Sequence, residues 1–249
     1  MMNFSKRGIA CLAALACMFF AACADRETQK EVEDEPTVPP ISEPDEIEQI
    51  DAQLELLADQ KAVWLDSWLK EETPSEPYSF AVTDLDHNGR LEVMSSTCQG
   101  TGLYSQNTVW EVNETLDALV LCTQDHQETD SQADMVATAQ TTRYYDADSG
   151  LYHYIFQDTL RNGAAEYYEN VRAVTLENGA VSEQILAYRS TIYVQGGNEP
   201  TITCTDSESN PISQEEYDTI ASEVFGDLEA ATVAFHWIST ASVDFNEVE

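Results

Sequence analysis

Residues 78–205 hold a succession of short segments rich in β-branched and aromatic residues, and this pattern constrains the fold more than any other feature of the chain. Two of these segments flank Glu177-Asn178-Gly179, and Asn-Gly favours the two-residue turns whose twist matches that of paired strands. Most connections are short, so neighbours in sequence are expected to pair antiparallel. The pattern therefore predicts a mainly antiparallel β-sheet.

In the sequence, one helix is expected before this β region and one after it. Apolar residues of the segment 44–71 recur at helical spacing and form one stripe: Ile47, Ile50, Leu54, Leu57, Trp64 and Trp68. Near the C-terminus, Ser213 and Glu216 form a capping box that starts a helix running to about Phe225. The predicted fold class is α+β: a mainly antiparallel β-sheet, an N-terminal amphipathic helix packed on it, and a short C-terminal helix.

The polar, acidic segment 123–138 interrupts the β pattern. It lacks the alternation of a strand and the apolar period of a helix. We therefore expect a mobile surface loop there.

The N-terminus carries the features of an export signal. Lys6 and Arg7 precede a 15-residue apolar run at residues 8–22, which is shorter than a membrane-spanning helix of about 20 residues. The run ends in Phe-Ala-Ala-Cys at residues 20–23, and polar sequence follows at once. This end resembles a bacterial lipobox, in which the cysteine is acylated and the chain is cut before it. The resemblance implies a lipid anchor on Cys23 that holds the protein on the bilayer.

Two other processing sites remain open. Cleavage after Ala24 would release a soluble protein, and a lipobox ending at Cys17 would leave an apolar run of only nine residues. The stretch 23–43 is rich in acids and proline, which predicts an extended tether. The expected organisation is a lipoprotein signal peptide at 1–22, this tether, and a single α+β domain at 44–249.

The charge of the chain excludes one class of partner. It has 46 Asp and Glu against 11 Lys and Arg, a formal net charge of −35. Such a protein repels phosphate, so nucleic acid is not an expected partner. It attracts cations, including divalent ones.

One short segment carries recognisable chemistry. Residues 84–92 read D-L-D-H-N-G-R-L-E, with oxygen-bearing side chains at loop positions 1, 3, 5 and 9. Ca²⁺ prefers about six to eight oxygen ligands, and alternate residues of a tight loop converge on one point. Gly89 permits the positive φ that such a loop needs. The predicted calcium ligands are four side chains and one backbone carbonyl, that of Arg90: Asp84, Asp86, Asn88, Arg90 and Glu92.

This segment resembles the strand–loop–strand calcium loops of the FG-GAP and integrin-propeller type, D-x-D-x-[DN]-G-x-x-[DE]. An EF-hand would need a bidentate Glu where Ser95 stands, and the flanking residues alternate like strands. With the lipobox and the acidic tether, the chain resembles surface lipoproteins of Gram-positive bacteria. That resemblance implies a location outside the membrane and no particular activity. The competing interpretation is a plain Asn88-Gly89 hairpin turn with solvated acids.

The expected function is a membrane-anchored extracytoplasmic lipoprotein, a calcium-braced and non-enzymatic binding or accessory domain. Its ligand would be a solute, a cell-wall polymer or a protein partner. Tyr152, Tyr154 and Phe156 alternate along one predicted strand and form a stacking platform if that face is exposed. The competing interpretation is that they fill the core. A purely structural envelope protein is a further possibility.

An extracytoplasmic hydrolase of unrecognised type is the alternative function. It would use carboxylates, or Cys98 with His153 or His236 as its base. The sequence lacks G-x-S-x-G, H-E-x-x-H and Walker A signatures, so no catalytic residue is assigned. A disulfide between Cys98 and Cys122 is also open, because export permits one.

The lipobox can be tested by substitution. We expect Cys23→Ser to move the protein from the membrane fraction to the soluble fraction, because the acyl chains are then lost. Cys17→Ser is the matched control and should leave the anchoring unchanged. An unmodified Cys23 in mass spectra of the membrane fraction would contradict the assignment.

Overall fold

A computed structural model describes five ranges of the chain: residues 44–64, 79–124, 131–136, 140–194 and 199–239. The predicted signal peptide and tether, including Cys23, lie outside the described residues. Among the residues that are described, no helix is long and apolar enough to cross a membrane.

The described elements are two helices and thirteen strands. The first part of the chain holds α1 (Pro44–Asp59), β1 (Ser79–Thr83), β2 (Glu92–Gln99), β3 (Tyr104–Val112), β4 (Leu119–Leu121), β5 (Thr123–Gln124) and β6 (Thr141–Asp146). The second part holds β7 (Leu151–Asn162), β8 (Glu166–Glu177), β9 (Ala180–Ile192), β10 (Thr201–Asp206), β11 (Pro211–Ile212), α2 (Gln214–Phe225), β12 (Glu229–Val233) and β13 (Ile238–Ser239).

The strands form two sheets. Five strands pair in the order β13-β1-β2-β3-β4, and seven pair in the order β11-β10-β9-β8-β7-β6-β12, with β5 beside β9 as the eighth. The neighbouring pairs are antiparallel apart from β5 and β9, which are parallel. Asn178 and Gly179 have φ of 50° and 72° in the turn between β8 and β9, as the Asn-Gly signal predicted. The predicted antiparallel β structure is confirmed, but it is divided between two sheets.

The two sheets pack face to face, and a helix lies on each outer face. Successive residues of β2 point to opposite sides: Val93 packs in a cluster with Leu57 of α1, whereas Met94 packs in a cluster with Phe156 of β7. The far side of the eight-stranded sheet packs against α2. The layers therefore run α1, five-stranded sheet, eight-stranded sheet, α2.

The N-terminal helix differs from the predicted span of 44–71. It ends at Asp59, Gln60 forms a turn, and residues 61–64 are helical again. The remainder of the predicted span, from residue 65, lies outside the described residues. The helical spacing of the apolar residues continues from Leu57 to Trp64, so that spacing alone could not reveal the turn at Gln60.

The C-terminal helix begins at the predicted capping box. The N–H of Glu216 donates to the Ser213 hydroxyl at 3.1 Å, and the N–H of Ser213 donates to the Glu216 carboxylate at 2.7 Å. Two backbone donors that the helix leaves without internal partners are thereby satisfied. The helix ends at Phe225.

The prediction of a mobile surface loop at 123–138 is wrong for residues 131–136. Met135 is only 1% exposed, and the segment lies between the sheets. The N–H of Gln132 donates to a carbonyl of β3 at 3.0 Å, and the N–H of Asp134 donates to a carbonyl of β7 at 2.9 Å. Its polar composition serves hydrogen bonds inside the protein, so composition alone misled the prediction.

A buried ion-pair network holds this segment against the eight-stranded sheet. Arg172 donates to Asp158 at 3.0 Å and to Glu183 at 3.1 Å, and Ser131 donates to Asp158 at 2.8 Å. Asp158 is 0% exposed. Burial raises the pKa of Asp158, while the hydrogen bond from Ser131 and the charge of Arg172 oppose that rise. The arginine supplies the positive charge that this part of the core needs.

We expect Arg172→Met to destabilise the protein by about 3–5 kcal/mol, because Asp158 is then a buried charge without its partner. The free energy of unfolding in urea at neutral pH measures the effect. Arg189→Met is the control, since Arg189 binds Glu169 and Asp218 near the surface and should cost about 1 kcal/mol. Equal losses in the two variants would contradict the buried network.

Candidate metal centre

The segment 84–92 forms the hairpin loop between β1 and β2, which pair from Thr83 and Glu92 onward. His87 and Gly89 adopt positive φ, at 58° and 85°. A Cβ built on Gly89 would meet no atom within 4 Å, so glycine is favoured there by its backbone angle and not by space. The loop thus turns in the way that its spacing predicted.

Three of the predicted ligands converge in this loop. One carboxylate oxygen from each of Asp84, Asp86 and Glu92 lies within 4.8 Å of the others. Glu92 is 0% exposed, and Asp84 is half-buried. Within the described part of the chain, Oδ1 of Asp84 and Oε1 of Glu92 are buried without a hydrogen-bond partner. Unpaired buried oxygens are unfavourable, and converging carboxylates are what Ca²⁺ binds, so the residues fit this ion.

The electrostatics of the cluster point the same way. Burial raises the pKa of Glu92 to about 9; the hydrogen bond from the Leu85 N–H lowers it, and the charges of Asp86, Asp84 and Glu111 raise it further. Burial also raises the pKa of Asp84, although the N–H of the Gly89 backbone donates to its carboxylate at 3.0 Å. The raised pKa values show that the loop alone disfavours the ionised forms of Asp84 and Glu92. A divalent cation would supply the countercharge that stabilises them.

Asn88 and Arg90 are engaged within the loop. The Asn88 side-chain oxygen accepts from the Arg90 backbone N–H at 2.8 Å and from its Nε at 3.3 Å. The Asn88 amide nitrogen donates to Asp86 at 2.9 Å and to Glu111 at 2.8 Å. The guanidinium of Arg90 forms an ion pair with Glu111. These two residues therefore orient the loop around the carboxylates, with Glu111 as their shared acceptor.

Sequence reasoning missed Glu111. It lies in β3 directly opposite Glu92 in β2 and is 5% exposed. The register of β2 and β3 could have revealed this residue, because pairing these two strands as a hairpin places Glu111 beside Glu92.

Sequence reasoning also missed two residues that hold the loop from outside. Gln53 of α1 is 0% exposed; its Nε2 donates to the Gly89 carbonyl at 3.0 Å, and its Oε1 accepts from the Leu91 N–H at 2.7 Å. The hydroxyl of Tyr154 in β7 donates to the Leu85 carbonyl at 2.7 Å. Neither contact has a local sequence signal.

The three predicted platform aromatics lie mostly inside the protein. Tyr154 and Phe156 are 3% and 2% exposed in the core between the sheets, so they form no exposed stacking surface. Tyr152 is partly buried next to the loop, with the His87 ring at 4.2 Å and the Tyr145 ring at 4.6 Å. The competing interpretation, that strand aromatics fill the core, describes these side chains better.

Of the residues considered for a hydrolase, Cys98 and His153 lie in different sheets, and His236 is exposed just before β13. His153 donates to or accepts from the Thr175 hydroxyl at 2.8 Å and stacks on Phe225 of α2 at 4.8 Å, whereas Cys98 lies in β2 of the other sheet. Burial raises the pKa of the Cys122 thiol to about 12, which disfavours the reactive thiolate. The described cysteines, which include Cys204, form no disulfide.

Comparisons of the chain with protein-family models, with curated proteins and with solved structures find no match. The arrangement of its own residues is therefore the basis for a function. The three carboxylates come from one hairpin loop, and that geometry suits an ion that braces the loop.

We expect Glu92→Gln to stabilise the protein in the presence of chelator at neutral pH by about 1–3 kcal/mol, because burial raises the pKa of Glu92 so that it must take up a proton on folding, whereas Gln is already neutral. Unfolding in denaturant with excess EDTA measures the change. Glu111→Gln is the matched control on the facing strand. It should destabilise the protein, since Glu111 is paired with Arg90 and Asn88. A loss of stability in both variants would show that Glu92 is already satisfied without a cation.

Proposed function

We propose that the chain is a calcium-braced binding or accessory domain, held outside the cell membrane by an acylated Cys23. The observation that carries the calcium site is the convergence of Asp84, Asp86 and Glu92, with a fully buried carboxylate oxygen that has no partner among the described residues. The side chains of the cluster offer oxygen and no sulfur or imidazole, which favours a hard cation such as Ca²⁺.

In this proposal the ion is structural. The loop that would hold it joins two inner strands of the five-stranded sheet, and its backbone is bound by Gln53 on one side and by Tyr154 on the other. An ion between the carboxylates would therefore brace α1, the first sheet and the second sheet at one point. The helix α1, which follows the tether in sequence, packs on the five-stranded sheet, and α2 packs on the outer face of the eight-stranded sheet.

The location is proposed from the export signal. The acidic, proline-rich segment 23–43 would let the domain stand off the bilayer by at most about 70 Å at full extension. The full chain has a net charge of −35, and such acidity disfavours contact with anionic lipid and attracts divalent cations.

A binding role is supported by exposed tyrosines at one end of the eight-stranded sheet. Tyr193 is 51% exposed and lies edge-on to Tyr167, with ring centroids 6.1 Å apart. Arg161 lies 5.4 Å above the Tyr167 ring. Aromatic rings with accessible faces and hydroxyls suit sugars, peptides and other amphipathic ligands. The hydrolase alternative gains no such support from Cys98 or His153.

The calcium site is tested by thermal unfolding with and without the ion. At a Ca²⁺ concentration one hundred times its dissociation constant we expect a gain of about 2.7 kcal/mol, which EDTA should abolish. Asp84→Asn combined with Asp86→Asn should lose this response, because two of the three negative charges are removed. The one oxygen left on each side chain can still accept from the backbone N–H of Gly89 and of Asn88, respectively. A wild-type melting temperature indifferent to both Ca²⁺ and EDTA would overturn the site.

The matched control for this experiment is Asp146→Asn. Asp146 accepts the N–H of Asp148 at 2.9 Å, much as Asp86 accepts the N–H of Asn88 at 3.2 Å, but it ends β6 next to an exposed turn, away from the loop 84–92. This variant should keep the full response to Ca²⁺. A loss of response there would mean that Ca²⁺ acts through the general acidity of the surface.

A further inference from the structure

We propose that cation binding at the loop 84–92 is coupled to the docking of α1, with Gln53 as the positioning residue that links the two. The inference rests on the calcium site proposed above and adds a regulated element to it. Because α1 connects the domain to its N-terminal segment, the coupling would let extracellular Ca²⁺ control how firmly that segment is held.

The geometry of Gln53 carries the inference. Its side chain is fully buried under the loop and uses both ends of its amide: Nε2 binds the Gly89 carbonyl and Oε1 binds the Leu91 N–H. These backbone groups stand on either side of Arg90, within the stretch that separates Asn88 from Glu92. The loop conformation that brings the carboxylates together therefore also sets the distance between the Gly89 carbonyl and the Leu91 N–H, to which Gln53 binds.

The coupling follows from the charges of the loop. Without a cation, three acidic side chains that converge within 4.8 Å of one another have no shared partner, which favours conformations that separate them. Such conformations move Gly89 and Leu91 and leave the Gln53 amide buried without partners, which is unfavourable. Docking of the helix on the sheet is then less favourable than it is with the ion bound. By reciprocity, a docked α1 must raise the affinity of the loop for the ion by the same factor.

A second glutamine of the same segment provides an internal comparison. Gln60 lies seven residues after Gln53, and both ends of its side-chain amide also form hydrogen bonds with backbone groups. Its Nε2 donates to the Asp117 carbonyl at 3.3 Å, and its Oε1 accepts from the Leu119 N–H at 3.1 Å. The Asp117 carbonyl lies in the connection between β3 and β4, and the Leu119 N–H lies at the start of β4. Neither segment contributes a carboxylate to the cluster.

The structure also shows what release of α1 would expose. The helix covers the outer face of the five-stranded sheet, where Leu57 packs with Val93 and Val112, both of which are 0% exposed. Undocking would bare this apolar face and free the helix as an extension of the tether. At low Ca²⁺ the domain would therefore reach further from the membrane and present a surface that is hidden when the ion is bound.

The first experiment compares Ca²⁺ affinities by calorimetry in the mature chain carrying Cys23→Ser. Gln53→Met and Gln60→Met each remove the two hydrogen bonds of one glutamine side chain and retain its approximate volume. We expect Gln53→Met to weaken Ca²⁺ binding at least about fivefold and Gln60→Met to change it less than about twofold, since coupling free energies usually correspond to factors of five or more. Both variants should lower the melting temperature in EDTA, which separates a stability effect from a change in affinity.

The second experiment measures hydrogen exchange of the α1 amides with and without Ca²⁺. In the wild type we expect Ca²⁺ to slow exchange in α1 while leaving α2, on the far side of the molecule, unchanged. In Gln53→Met this protection of α1 by Ca²⁺ should disappear, and in Gln60→Met it should persist.

The outcomes are distinguishable. If the wild type binds no Ca²⁺, the cation site fails and the coupling fails with it. If Ca²⁺ binds but Gln53→Met and Gln60→Met have equal affinities, or if exchange in α1 ignores the ion, the site stands and the coupling is overturned. Equal protection of α1 and α2 by Ca²⁺ would likewise count against it, because global stabilisation would then explain the effect.

Discussion

The carboxylate of Glu92 lies inside the protein without a positively charged neighbour of its own, and the surrounding structure is organised by this constraint. One oxygen accepts from the Leu85 N–H, and the other has no partner among the described residues. The Leu85 carbonyl is in turn bound by Tyr154 from the opposite sheet. A bound cation would favour the ionised form of this buried acid, and the two hydrogen bonds of Leu85 fix the loop relative to both sheets.

The space between the sheets contains two acidic clusters that are neutralised differently. At the end marked by Ser131, Arg172 binds both Asp158 and Glu183, so the protein supplies its own cation. At the end marked by Glu92, the guanidinium of Arg90 binds Glu111 and leaves the three converging carboxylates uncompensated. Arginine neutralises the first cluster, whereas no arginine neutralises the three carboxylates of the second. We therefore expect an ion only at the second cluster, that of Glu92.

Local sequence predicted the features that local physics determines. The Asn178-Gly179 turn, the Ser213 capping box and the spacing of the loop carboxylates all depend on neighbours within a few residues. The burial of 131–136 was missed because its polar groups find partners on strands far away in sequence. Gln53 was missed for the same reason, since the groups that it binds lie 36 and 38 residues further along the chain.

Acidity by itself does not distinguish a cation site in a chain of this composition, but a buried acid without a cationic partner does. The pKa of Asp158 is also raised by burial, yet Arg172 already pairs with it, whereas buried oxygens of Asp84 and Glu92 have no partner among the described residues. At Asp117, Asp146 and Asp206, which lie in or next to exposed turns, hydrogen bonds from neighbouring side chains lower the pKa of each carboxyl, so those charges are already stabilised by the protein. In the β1–β2 loop, burial raises the pKa of Asp84 and of Glu92. A carboxylate that the protein stabilises gains little from a metal ion, whereas one that the protein destabilises gains a great deal. The same argument explains why most of the 46 acidic residues would attract Ca²⁺ only diffusely, while the loop would bind it at a defined position.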